Sequence, residues 1–262
     1  MKNRTVLWII AGGLVLLLVA AGLSLARGRG DDGTLERVQS GRVLRVGLDA
    51  SFPPFEMLDT AGEVAGVDAD LARALAARLG AEPTFINLGF DGLYDALLAD
   101  KVDVVISGLP YDPRRTRDVI YSPPYFNAGQ VLVARAGDTA LDGRQALAGR
   151  TVAVEWGSQA DMEARRLKQT VAGLTILSRP TAQDALQALV AGQAEAAIAD
   201  GVSVRQFMRS NTDQVRVVET LTDEPYVIAS RARSRRLAEA IDRALLGLHE
   251  SGELDRLLAR WF

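Results

Sequence analysis

Three arginines stand close together just after an apolar run in residues 104–118, VVISGLPYDPRRTRD. A planar guanidinium can donate parallel hydrogen bonds to both oxygens of a carboxylate, which a lysine cannot match. One of Arg114, Arg115 and Arg117 could therefore bind an anion. The charge pattern by itself favours the plainer interpretation, in which all three arginines form a solvated surface.

Two further segments combine an apolar run with a polar end. In TVAVEWGS, Gly157 leads into a predicted helix with Ser158 as its cap, and the free N–H groups of such a helix end attract anions. In EAAIAD, Asp200 stands at the tip of an apolar strand, where α/β folds bind their ligands. The local pattern favours another role for Asp200, as the cap of a helix that begins near Val202.

The composition excludes several classes of function. The 262 residues carry 30 Lys+Arg against 33 Asp+Glu, so the net charge of −3 argues against a nucleic-acid partner. The chain has no cysteine, which excludes disulfides and thiolate metal sites. The single histidine, His249, joins no serine and acid in a catalytic arrangement, and no metal-ligand spacing is present. We therefore expect a binding protein without catalysis, metal or cofactor.

The amino terminus predicts an extracytoplasmic protein. Lys2 and Arg4 precede an uncharged run over residues 5–26, which at about 1.5 Å per residue could cross a hydrocarbon core of roughly 30 Å. The run is longer than the apolar part of most signal peptides, which favours an uncleaved anchor over a signal peptide cut after Ala26. Residues 27–42 are polar and weakly patterned, and they indicate a linker.

The remaining sequence alternates between strand and helix patterns, which predicts an α/β fold with mostly parallel sheets. We expect helices over residues 69–79, with Asp68 as the cap, over 92–99 and 182–191, and from about residue 160. The pattern occurs twice, which supports two similar lobes. In such sheets ligands bind at the carboxyl ends of the strands.

Five sequence blocks, taken in order, resemble the bacterial extracellular solute-binding proteins of the polar amino-acid family, the binding components of ABC importers. The blocks are LRVGLDASFPPFE, GEVAGVDADLARALAARLG, FDGLYDALLADKVDVVISG, DPRRTRDVIYSPPY and ALLGLHESGELDRLLARWF. The resemblance covers nearly all of residues 44–262. It implies that the partners are a free amino acid and a membrane permease.

The resemblance also implies a fold, the type II periplasmic-binding-protein fold. Lobe 1 would comprise residues 43–125 and 226–262, and lobe 2 residues 130–221, with hinge crossings near 125–130 and 221–226. The ligand would lie in the cleft between lobes that close by hinge motion. We expect a monomer.

The resemblance implies roles for single residues. Arg115 would bind the ligand carboxylate with help from Ser158, and Asp200 would receive the α-ammonium group. Phe52 and Phe90 would flank the ligand side chain, and Asp49 would contact its polar tip. The backbone at Ser107 and Gly108, at a strand end, would also contact the ligand. Three positions depart from the family pattern: Pro110 replaces a threonine, and Glu155 and Gln159 replace other residue types.

The charges predict the ligand class. Asp49, Glu155 and Asp200 face a single Arg115 in the implied cleft, so a zwitterion alone would leave two carboxylates without partners. Since unpaired buried acids are costly, we expect a cationic side chain such as that of arginine, lysine or ornithine, with glutamine as the next choice. Two other functions stay open: a cyclohexadienyl-dehydratase-like enzyme, with Glu155 as general acid, and a membrane-anchored amino-acid sensor.

Overall fold

The computed structural model describes residues 31–262, and the predicted signal or anchor segment over residues 1–26 lies outside them. The chain forms two five-stranded sheets with helices packed on them. Within residues 31–262 no helix combines the length and the apolar character needed to cross a membrane.

The helices and strands follow one another in an α/β order. The helices are α1 Thr34–Gly41, α2 Val67–Arg78, α3 Leu93–Leu98, α4 Gln159–Lys168, α5 Ala182–Val190, α6 Gly201–Ser210, α7 Arg235–Glu250 and α8 Glu253–Trp261. The strands are β1 Val43–Leu48, β2 Ser51–Phe52, β3 Glu56–Leu58, β4 Val64–Ala65, β5 Glu82–Asn87, β6 Val104–Val105, β7 Val119–Tyr121, β8 Phe126–Asn127, β9 Gln130–Arg135, β10 Thr151–Glu155, β11 Thr175–Arg179, β12 Ala196–Asp200, β13 Val215–Thr220, β14 Pro225–Tyr226 and β15 Ala229–Arg231.

The two sheets have matching topologies. The first has the order β5-β1-β6-β15-β7, and the second has the order β11-β10-β12-β9-β13. In each sheet the first three strands are parallel and the other two are antiparallel to their neighbours. The first sheet forms lobe 1, to which β15 returns late in the chain, and the second forms lobe 2. The predicted α/β fold with two lobes is confirmed.

Apolar side chains cover both faces of each sheet, as near-continuous apolar strands require. Two buried clusters flank the first sheet and two flank the second. The leucines spaced by four residues along α2 share its buried face: Leu71 and Leu75 are fully enclosed, and Leu79, directly after the helix, is 8% exposed. This face is the one that the helical spacing predicted.

The chain passes between the lobes twice, and the two crossings pair with each other. Strands β8 and β14 form a two-stranded antiparallel sheet in which Phe126 lies opposite Tyr226. Next to this sheet, Gly129 approaches the carbonyl group of Thr222 so closely that a Cβ would collide with it. Only glycine fits at this position in the crossing.

The predicted linker over residues 27–42 is wrong in its second half, because residues 34–41 form the helix α1. Leu35 and Val38 of α1 are buried in the lobe 1 core. A stripe of two apolar residues is too short to predict a helix from the sequence. The position of α1 depends instead on contacts with distant residues. Arg231, which is 2% exposed, donates a hydrogen bond to Oγ1 of Thr34 at 3.0 Å.

Candidate functional site

A cavity of about 400 Å³, here called the interlobe cavity, lies between the two lobes. Lobe 1 contributes Phe52 and Pro53 to its wall, and lobe 2 contributes strand ends and helix starts that include Glu155, Ser158 and Asp200. Ligands in α/β folds bind at such strand ends. The cavity therefore has the place and the size of a small-molecule site.

A second cavity of about 310 Å³, the lobe 1 cavity, adjoins the first. Phe52 and Tyr226 line both cavities, so these two side chains form the boundary that the cavities share. The remaining wall of the lobe 1 cavity consists of strand and turn residues of lobe 1: Asp49, Ser51, Glu56, Phe90, Ser107, Gly108 and Pro110.

Arg115 lines a third cavity, of about 490 Å³, which shares Phe90 and Pro110 with the lobe 1 cavity. Its guanidinium carbon lies 4.0 Å from the centre of the Tyr94 ring, a cation–π contact. Its Nε lies 3.6 Å from Oδ2 of Asp112. No side-chain hydrogen bond within residues 31–262 uses the Arg115 guanidinium, so its donors remain available to an anion.

Asp112 is itself bound mainly to Arg114. Nε and one terminal nitrogen of Arg114 both donate to this carboxylate at 2.9 Å. These hydrogen bonds lower the pKa of Asp112 to about 2. Asp112 is therefore a fixed anion that orients Arg115 without a direct hydrogen bond.

The predicted site residues fall into three groups in the structure. The interlobe cavity holds Phe52, Glu155, Ser158, Gln159 and Asp200. The lobe 1 cavity holds Asp49, Phe52, Phe90, Ser107 and Gly108. Arg115 lies outside both, in the adjoining cavity, so the structure does not bring its side chain to the same wall as Asp200.

Helix caps place two of these side chains. Ser158 caps α4 and Asp200 caps α6, since their side-chain oxygens accept from the N–H groups of Asp161 at 3.3 Å and Ser203 at 2.8 Å. The capping role predicted for Asp200 is thus confirmed. It is compatible with a place in the cavity wall, because a carboxylate has further acceptor positions.

The residues of charged type that line the first two cavities are all acids. The described residues that line them include five acids and neither lysine nor arginine: Asp49, Glu56, Glu155, Asp200 and Glu224. Carboxylates gathered around one cavity repel one another unless a cation or a proton enters. A cation or a proton bound at these walls would relieve the repulsion.

One of these acids belongs to a buried pair that the sequence analysis did not predict. Glu56 is 1% exposed and Asp68 is fully buried. Burial, together with the nearby charge of Asp68, raises the pKa of Glu56 from its ordinary 4.5 to about 11. Burial also raises the pKa of Asp68. The predicted cap at Asp68 is wrong, because α2 begins at Val67 with Gly66 before it.

Further cavity residues were missed by the sequence analysis. They are polar and aromatic side chains of the crossings and of α6, together with the acid of strand β3: Gln130, Ser203, Gln206, Glu224, Tyr226 and Glu56. Glu56 could have been found, since an acid directly after FPPF, in an otherwise apolar stretch, is unusual. No local sequence pattern marks the crossing residues as ligand contacts, because only the fold brings them to the cavity.

Two α/β lobes joined by two crossings, with a cavity between them, constitute a type II periplasmic-binding-protein fold. A family model describing bacterial extracellular solute-binding proteins, family 3, matches residues 44–262. The chain therefore belongs to this family.

Individual proteins of known name are also similar to the chain. The ABC transporter arginine-binding protein 1 of Escherichia coli is 29% identical over 84% of this chain and 90% of its own length. The arginine-binding extracellular protein ArtP of Bacillus subtilis is 28% identical over 95% of this chain and 97% of its own length. Among solved structures, an ancestral cationic amino acid solute-binding protein is 30% identical, with a TM-score of 0.64, and covers 87% of this chain and 99% of its own.

Proposed function

We propose that this protein is an extracytoplasmic binding protein for a cationic L-amino acid, which it delivers to the permease of an ABC importer. One observation carries the proposal: Asp49, Glu155, Asp200 and Glu224 line the two adjoining cavities with neither lysine nor arginine beside them, while Glu56, whose raised pKa keeps it protonated, adds no charge. A ligand with one carboxylate and two cationic groups compensates this wall better than a neutral zwitterion does.

The proposed ligand occupies both cavities. Asp200 receives the α-ammonium group, and Glu155 receives the cationic side chain. Phe52, which is 40% exposed and lines both cavities, packs against the aliphatic part of the ligand. The carboxylate points towards the third cavity, which shares Phe90 and Pro110 with the lobe 1 cavity, and binds the guanidinium of Arg115 there.

Hinge closure completes the site. The residues proposed to hold the ligand come from both lobes, and the chain connects the lobes only through the crossings at β8 and β14. A ligand that contacts both lobes stabilises the closed form by its differential affinity for that form. The closed form is then the state that a permease recognises.

The names of the relatives support the same proposal. Two curated relatives are named for arginine and one solved ancestral protein for cationic amino acids. Two of those names also refer to an ABC transporter or to an extracellular location, which supports the permease partner and the extracytoplasmic site.

Calorimetry on residues 31–262 with a panel of ligands tests the proposal. The panel contains L-arginine, L-lysine, L-ornithine, L-glutamine, L-cystine, D-arginine and agmatine, which lacks the carboxylate, together with prephenate and arogenate as tests for catalysis. We expect the L-cationic amino acids to bind most tightly and agmatine to bind poorly. Tightest binding of a neutral or acidic ligand would refute the cationic preference, and turnover of prephenate or arogenate would assign an enzyme instead.

Glu155→Gln is expected to weaken arginine binding by about 1.5 to 3 kcal/mol, since a hydrogen bond to a charged group contributes about that much. The affinity for the ligand L-glutamine should change less than about threefold, because its uncharged side chain forms no ion pair with Glu155. Titration of both ligands into the variant measures the difference. Glu82→Gln, an exposed residue of β5 that lines none of these cavities, removes the same charge and is the control. Equal losses for both ligands would place Glu155 outside the specificity site.

A further inference from the structure

Two carboxyl groups of lobe 1 are enclosed together without a counterion. Glu56 begins β3 and Asp68 lies in the first turn of α2. Backbone hydrogen bonds hold these segments side by side, because the N–H groups of Val67 and Asp68 donate to the carbonyl groups of Pro54 and Phe55 at 3.0 and 2.9 Å. None of the ion pairs within residues 31–262 includes Glu56 or Asp68.

Each carboxyl group has one oxygen with a partner and one without. Oε1 of Glu56 accepts from the hydroxyl of Ser107 at 2.7 Å, and Oδ2 of Asp68 accepts from the N–H of Gly108. Oε2 of Glu56 and Oδ1 of Asp68 are buried and have no hydrogen-bond partner among the described residues. Two ionised carboxylates cannot satisfy each other, but one added proton turns one of the two into a donor.

The helix dipole decides which group is charged. Asp68 lies in the first turn of α2, where the dipole favours a negative charge, and it also accepts from a backbone N–H group. Glu56 has neither advantage, so a single proton on the pair would reside on Glu56.

We propose that Glu56 and Asp68 share one proton and that this acid pair is a positioning group, which fixes Ser107 and Gly108 at the wall of the lobe 1 cavity. Ser107 donates to Glu56 and accepts from the N–H of Asp49 at 3.0 Å. Asp49 in turn accepts from the N–H of Phe90 at 2.8 Å. The pair thus determines the geometry of the strand ends that meet the ligand. The effect on binding rests on the proposed function, whereas the shared proton does not.

The environment of the pair favours the proton over a wide pH range. The titratable groups that face Glu56 are Asp49, Asp68, Tyr125 and Tyr226, and none of them is cationic. The folded protein keeps a proton that the unfolded chain releases above the ordinary pKa of 4.5. Because the folded state binds more protons, the pair stabilises it most at low pH, and this contribution falls as the pH rises towards about 11.

Glu56→Gln provides the sharpest test, because a carboxamide can donate to Asp68 and accept from Ser107 without any proton to lose. We expect this variant to bind L-arginine within about threefold of the wild type at neutral pH, whereas Glu56→Ala binds about tenfold or more weakly. The melting temperature of the wild type should fall more between about pH 6 and pH 9 than that of Glu56→Gln. An infrared band of a protonated carboxyl group should be present in the wild type near pH 8 and absent from Glu56→Gln.

Several results would overturn the proposal. The proposal fails if Glu56→Gln folds but binds L-arginine more than about tenfold more weakly than the wild type does. It also fails if the melting temperatures of the wild type and of Glu56→Gln change in parallel with pH, or if the wild type lacks the infrared band. If Glu56→Ala does not fold, Ser107→Ala replaces it, and unchanged affinity in that variant refutes the positioning role. A wild type that binds no amino acid defeats the proposed function, while the melting and infrared results still decide whether the proton is shared.

Discussion

Arg115→Ala should cost about 2 to 5 kcal/mol of binding free energy for a cationic L-amino acid, which is the loss expected when one partner of an enclosed charge pair is removed. The guanidinium is ready for an anion: it stacks on Tyr94 at 4.0 Å and lies 3.6 Å from Asp112, which is already bound to Arg114. Removing it leaves the ligand carboxylate without its cation inside a cavity system lined with acids. Calorimetry with L-arginine measures the loss.

Two matched variants make the Arg115 experiment decisive. Arg117→Ala removes an exposed arginine of the same segment that lines none of these cavities, and it should bind within about threefold of the wild type. Arg115→Lys should recover only part of the affinity, since a lysine cannot bond both carboxylate oxygens. If Arg115→Ala keeps the wild-type affinity, the carboxylate binds elsewhere, and the start of α4 at Ser158 becomes the candidate.

Arg231→Ala is expected to lower the free energy of unfolding by about 3 to 5 kcal/mol, as removal of one member of a buried charged network does. Arg231 is 2% exposed and donates to the carbonyl groups of Leu97 at 3.2 Å and Val102 at 2.7 Å. It also lies 3.3 Å from a carboxylate oxygen of Asp32. The substitution leaves these acceptors unpaired in the interior of lobe 1. Denaturant unfolding measures the change.

Arg233→Ala is the control for this experiment. Its side chain lies 3.4 Å from the same oxygen of Asp32 but is 58% exposed. Exposed ion pairs contribute about 0 to 1 kcal/mol, so the control should be nearly as stable as the wild type. If both variants lose the same free energy, the buried contacts of Arg231 do not hold α1 in place.

Sequence patterns predicted the parts of the site that depend on local structure. Asp49, Glu155 and Asp200 each come at or directly after the end of a short apolar strand, and the fold brings such ends to the cavities. Their exact roles towards a ligand stay predictions. Ser158 and Asp200 could also be identified as helix caps, because a cap is set by residues three apart.

Contacts between distant segments were beyond the sequence patterns. Glu56 meets Asp68 only because Gly66, with a φ of 128°, lets the chain approach Phe55 where a Cβ would collide. Helix α1 depends on Arg231, almost two hundred residues further along the chain. The separation of Arg115 from Asp200 depends on the arrangement of the cavities. None of these three features produces a periodic pattern of apolar residues, so the sequence alone does not predict them.

The attachment of helix α1 to lobe 1 determines how a tethered protein would move. Asp31 accepts from the N–H of Arg236 at 3.0 Å, and the N–H of Asp32 donates to the carbonyl of Arg233 at 2.9 Å. A force applied at the amino-terminal side of Asp31 would therefore act directly on lobe 1. Lobe 2 has no covalent link to that point except through the crossings. In a protein held at its amino terminus, lobe 1 would be the stationary part, and the proposed closure would move lobe 2 towards it.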